Sequence, residues 1–143
     1  MKQMNNNFPK EGEIWMAYIP ETRMATEHSY VGYHPYLIVS NNKFNMYSGM
    51  VDAIPFTTKR WNSNSPVHVK YASGEIDGMD KDCTLVCEGR TAVDQTNLKF
   101  KVGQFSDKDW NKAAIGMALQ TPRILKAFEQ GIQHTQLYQS LCS

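Results

Sequence analysis

From Gly12 onward the apolar residues of this chain come in short runs, at 14–19, 36–39, 51–56, 67–71 and 84–87, each bounded by Gly, Pro, Asn or Ser. Runs of this length between turn-forming residues read as β-strands, and none approaches the ~20 apolar residues that span a bilayer. A sixth run, 98–105, alternates Leu98, Phe100 and Val102 with Lys99, Lys101 and Gly103, which predicts one strand face in the core. So many closely spaced strands predict a barrel or sandwich. Pro35 and Pro55 are expected at strand edges, where a missing N–H is tolerated.

The pattern changes at Ser106. Ser106 followed by Asp109 has the form of a capping box, and Trp110, Ala113, Ala114, Met117 and Ala118 recur at helical spacing, so a helix is predicted to about Gln120. Thr121-Pro122 is a second start signal, with Leu125, Phe128 and Ile132 as the apolar stripe of a C-terminal helix. The reading is therefore a mainly β (α+β) domain, strands first and helices last. At 143 residues the chain suits one domain, 12–143, after a flexible lead-in at 1–11 that carries three successive Asn.

Charge narrows the function classes. Lys and Arg number 15 against 14 Asp and Glu, a net +1, so any nucleic-acid site must be a local patch rather than a basic surface. Lys59-Arg60 is such a patch, whereas Lys99 and Lys101 read as a solvated strand face. The cysteines Cys83, Cys87 and Cys142 have neither CxxC spacing nor a histidine at zinc-finger distance, so no disulfide framework or metal site is expected and a cytoplasmic setting is. The N-terminus lacks the apolar core of a signal peptide. Walker, Rossmann, HExxH and GxSxG patterns are absent from the sequence.

Five segments in order, Gly12-Glu13-Ile14-Trp15, 34–45 (HPYLIVSNNKFN), 50–60 (MVDAIPFTTKR), His68-Val69 and Arg90-Thr91, resemble the PemK/MazF toxins over roughly 10–120. The resemblance implies an SH3-like β-barrel of the PemK/MazF/CcdB kind with C-terminal helices. It also implies a homodimer whose interface builds two RNA grooves, and metal-independent, sequence-selective cleavage of single-stranded RNA, mRNA included, without a cofactor. A cognate antitoxin would block the groove, and no membrane is involved.

Cleavage by 2′-OH attack needs a group to take that proton, one to protonate the leaving 5′ oxygen, and donors for the growing phosphorane charge. Thr57 matches the family's Thr or Ser at the end of the third strand and is the first catalytic candidate; by itself, a threonine there also reads as a turn residue bonding its own backbone. His34 stands where the family has the Arg of Arg-Pro. Imidazole, unlike guanidinium, is only partly cationic near neutrality, so His34 reads either as a general acid or base or as a strand histidine packed under a loop. Candidate RNA contacts are His28 and Ser29 in the long loop after Pro20, the phosphate-facing Lys59 and Arg60, and Trp61 and Tyr33 as base-stacking rings. Arg90 reads as support, bracing the site or fold through a carboxylate, and His68 as structural. Trp15, Phe56 and the Trp110 stripe are expected in the core. Relatives that place an Arg and an Asp before the Arg-Thr turn differ from this chain, which has Leu85 and Cys87 there.

Two other readings stay open from sequence. One is a non-catalytic binding module like the CcdB gyrase poisons. The other is an impaired or regulatory member whose helix at 121–143 packs on the barrel or the dimer, or covers the groove.

Overall fold

The computed structural model of the protein describes residues 7–20 and 31–132. Seven strands, β1 Glu13–Ile19, β2 Gly32–Ile38, β3 Met50–Thr57, β4 His68–Tyr71, β5 Cys83–Val86, β6 Thr91–Asp94 and β7 Leu98–Gln104, form one antiparallel sheet. Its order is β4-β5-β3-β2-β1-β7, with β6 paired to β3 beside β5. The sheet is not closed by a strand ladder: a single bridge, Asp77 to Gln104, joins the segment after β4 to the end of β7.

Alternation along the strands covers both sheet faces. Ile14, Leu37, Ile54, Phe56 and Leu85 enter a core shared with Phe105 and Ala113 of the C-terminal region, while Ala17, Tyr36, Ile38, Val51 and Val93 form a second cluster. Phe56 is fully buried as expected, whereas Trp15 lies half-buried on the second cluster with its Nε1–H donating to Glu13 Oε1 at 3.2 Å. The helix α2, Asp107–Ala118, starts at the capping box: Ser106 Oγ accepts Asp109 N–H at 3.2 Å and Asp109 Oδ2 accepts Ser106 N–H at 2.9 Å. A cap of this kind contributes about 1 kcal/mol. Trp110 and Met117 pack on the first core, and Trp110 meets Phe105 edge-on at 5.2 Å. The last helix, α3 Pro122–Ile132, begins at the predicted proline.

Four expectations differ from what is found. Phe100 is exposed rather than in the core, because β7 runs from one cluster to the other: Leu98 packs on the second, Val102 on the first, and the register with β1 shifts twice between them. Pro35 and Pro55 are inside β2 and β3, not at strand ends. A short helix, α1 Asn42–Ser48, and strand β6 went unpredicted. Residues 1–6 of the expected lead-in lie outside the described residues, and just ahead of Gly12 Lys10 N–H donates to Glu13 Oε1 at 2.7 Å and Glu11 N–H to Asn42 Oδ1 at 2.8 Å.

Candidate active-site cleft

The two prolines open the cleft. The β2–β3 ladder runs Ile38–Ala53, Leu37–Ile54 and Tyr36–Pro55, and then stops. Successive antiparallel pairs alternate between hydrogen-bonded and non-bonded, so either Tyr36–Pro55 or the next pair, Pro35 with Phe56, must be the bonded one. Each of those pairs contains a proline, which has no N–H to give. The β2–β3 ladder ends there, while on its other edge β3 pairs with β5 at Phe56–Leu85 and Thr57–Thr84. Carried two residues beyond its last pair, the β2–β3 register brings His34 opposite Thr57 and on the same sheet face.

A cleft of about 210 Å³ fills the space between the splayed strands, lined by Tyr33, His34, Pro35, Phe56, Thr57, Thr58, Lys59 and Cys83. Its size suits a phosphodiester and part of a nucleotide rather than a folded ligand. Thr57 is 8% exposed, and its Oγ1 accepts the Lys59 N–H at 3.2 Å, which fixes the hydroxyl at the strand-to-turn junction. Across the ladder from it, the buried Thr84 Oγ1 has no hydrogen-bond partner among the described residues. Burial pushes the Cys83 thiol up to about 11, with Glu75 and Asp82 adding to the shift, so it stays protonated at neutral pH.

Of the sequence-derived site residues, Thr57, His34, Tyr33 and Lys59 share this cleft. Arg60, exposed, and Trp61, half-buried, follow on the turn beyond it. His28 and Ser29 lie outside the described residues. Arg90 is elsewhere: its Nε donates to Asp52 Oδ2 at 2.6 Å, tying the start of β6 to β3 beside a second cavity that Glu11, Phe44 and Asp52 line. That is the carboxylate brace expected of it, applied to the fold rather than to the cleft.

Two residues in or next to the cleft escaped the sequence reading. Cys83 was read only as one of three cysteines without disulfide or zinc spacing. Tyr18 pairs directly with Tyr33 across β1 and β2, their rings 4.8 Å apart and tilted by 49°, and both are exposed beside the cleft. The signal available was the alternation of Tyr18 with Ala17 and Ile19, which puts the ring on the outer face.

An open antiparallel sheet carrying a threonine, a histidine and a lysine around one small, largely apolar cleft defines a compact α+β protein. The family model of the PemK-like, MazF-like toxins of type II toxin–antitoxin systems matches residues 10–120, and the chain belongs to that family. Among solved structures it is similar to an endoribonuclease from a mycobacterial species, with a TM-score of 0.60 and 23% identity over 79% of this chain and 90% of that one. MazF from Deinococcus radiodurans superposes with a TM-score of 0.63 at 13% identity, covering 82% of this chain and 99% of that one. A mycobacterial endoribonuclease solved in complex with its cognate antitoxin gives 0.58 at 22% identity, over 78% and 92% of the two chains. Comparison with curated proteins gave no match. No described helix is long and apolar enough to cross a membrane.

Proposed function

We propose that this toxin is an endoribonuclease that cuts single-stranded RNA by 2′-OH attack in the cleft between β2 and β3. The observation that carries the reading is the shared cleft of Thr57, His34 and Lys59 at the point where the β2–β3 ladder breaks. The Thr57 hydroxyl already accepts from Lys59 N–H, which leaves its proton to donate to a phosphate oxygen. The Lys59 ammonium holds the RNA phosphate by its charge, and His34 moves the proton, taking it from the 2′-OH or returning it to the leaving 5′ oxygen. Tyr18 and Tyr33 supply a stacking platform for a base next to the scissile phosphate.

In this reading the protein acts as a homodimer in the cytoplasm, and its partner is a cognate antitoxin that covers the cleft. The similar endoribonuclease solved in complex with its cognate antitoxin supports the antitoxin as partner. The division of labour needs no metal. The test is to map cut ends in total RNA by primer extension, with and without EDTA. Cuts at a short recurring sequence, unchanged by EDTA and leaving 2′,3′-cyclic phosphate ends, are expected. RNA bound but left intact would replace the nuclease with a binding module.

A further inference from the structure

Beyond Thr57 the chain enters a ten-residue connection to β4, and a series of hydrogen bonds holds it. Thr57 Oγ1 accepts Lys59 N–H at 3.2 Å, Arg60 O accepts Ser63 N–H at 3.1 Å, and Ser63 Oγ accepts Ser65 N–H at 3.2 Å. The same Ser63 Oγ meets His68 Nδ1 at 2.5 Å, and His68 Nε2 meets Glu88 Oε1 at 2.5 Å. His68 is mostly buried, its side chain 12% exposed, while Glu88 reaches toward solvent at 43%.

The chemistry of these contacts fixes their direction for a neutral ring. A carboxylate only accepts, so Nε2 carries the proton and donates to Glu88; Nδ1 then accepts, and Ser63 must be its donor. The series ends on β4, a strand of the sheet, and on the turn that directly follows β5. A turn held only by its own backbone contacts would be free to fray. This one is clamped at its middle by a side chain that grows from the sheet.

We propose that Ser63, His68 and Glu88 form a strut that positions the turn at 59–61 beside the cleft, making His68 a positioning residue for RNA binding. The assignment rests on the nuclease reading, since its purpose is to present Lys59, Arg60 and Trp61 to the strand being cut. Positioning acts on substrate binding more than on the chemical step, because Thr57 and His34 are set by β3 and β2 and not by the strut.

The test uses the full chain, with Ser63→Ala, Glu88→Ala and Glu88→Gln, on a single-stranded RNA oligonucleotide containing one mapped cut. Three quantities are read: kcat and KM, the Kd for the same oligonucleotide with a 2′-deoxy sugar at the cut, and amide hydrogen exchange. Ser63→Ala and Glu88→Ala should raise KM and Kd by about fivefold, the effect of one net hydrogen bond, with kcat within about twofold. Exchange at 59–66 should quicken while β3 and β5 stay protected, which also shows that the variants fold. Glu88→Gln should restore the parent values, because its Oε1 still accepts from Nε2–H. A fall in kcat at constant KM would overturn the proposal, as would unchanged exchange at 59–66 in Glu88→Ala. If the parent protein neither cuts nor binds RNA, the nuclease reading fails on its own, and the exchange data still decide whether the strut holds the turn.

Discussion

A threonine hydroxyl has one proton to donate, and at Thr57 the backbone of Lys59 already occupies part of the acceptor side. The remaining proton lies within the cleft that His34 also lines, so removing either side chain should remove a group that acts on the scissile phosphate. Thr57→Ala and His34→Ala are each expected to slow RNA cleavage by about tenfold or more, roughly 1.4 kcal/mol of barrier, with the circular dichroism spectrum unchanged. Thr57→Ser should recover most of the loss, since the hydroxyl and not the methyl is the working atom. Initial rates on a defined oligonucleotide check this, and parent-like rates in both alanine variants would end the assignment. Cys83 lines the same cleft but behaves oppositely. Its buried thiol is pushed up to about 11, so near neutrality it is neither a nucleophile nor a base. Cys83→Ala should therefore keep kcat within about threefold of the parent, the difference reflecting only lost packing.

Elements carry the next level of constraint, and α3 is the test case. Its start follows from Thr121-Pro122 and its apolar stripe is plain, yet Ile124 and Leu125 are exposed, 64% and 44%, and every described side chain of the helix faces solvent. The expected helix at 121–143, packed on the barrel or the dimer or covering the groove, runs past Ile132 into residues outside the described ones. The Phe128 and Ile132 side chains of its stripe also lie outside them, and its described side chains are exposed. Replacing both Ile124 and Leu125 by Ser should then change the unfolding free energy of the chain by no more than about 0.5 kcal/mol in a urea titration at low protein concentration. A larger loss would mean that the stripe is covered in solution. Legibility follows the same logic across the fold. Strands β1 to β5 announce themselves as short apolar runs between turn residues, β7 by alternation, and α2 by its cap and stripe, because each has apolar side chains to bury. The short α1 has no such face: Lys43, Asn45 and Ser48 interrupt it, and Asn45, not an apolar residue, is its buried side chain, bonded to Ser40 O. Its only local signals are Asn41, which accepts Phe44 N–H, and the left-handed Gly49 that ends it. Strand β6 has four residues and one buried position, Val93, too little for a period of two to show. The cleft was legible as residues and not as a shape, since the broken ladder depends on two prolines meeting across strands that no local window joins.

At the scale of the whole molecule the main strand path has two ends, β4 and β7, with β6 branching at β3, and the sheet stays compact without a ladder between those ends. What brings them together is a backbone crossing. Gln104 N–H donates to Asp77 O at 3.2 Å, and beside that bond Gly78 and Gly103 pass so closely that a methyl group has no room. A Cβ on Gly78 would stand 2.1 Å from Val102 O, and one on Gly103 would stand 2.0 Å from Asp77 O. Both obstacles are carbonyl oxygens of the main chain, which cannot swing aside as a side-chain tip would. Gly78 has the further demand of a φ of 89°, so alanine there adds left-handed strain to the clash. Gly103→Ala isolates the steric part and should lower the unfolding free energy by about 2–3 kcal/mol, and Gly78→Ala by about 1 kcal/mol more. Urea titrations followed by far-UV circular dichroism measure both. The cleft lies on β2 and β3, away from this crossing, so kcat for RNA should be retained well below the shifted transition. Parent-like stability in Gly103→Ala would mean that the edges are free to part, and the closure of the fold would then have to come from packing in the two cores alone.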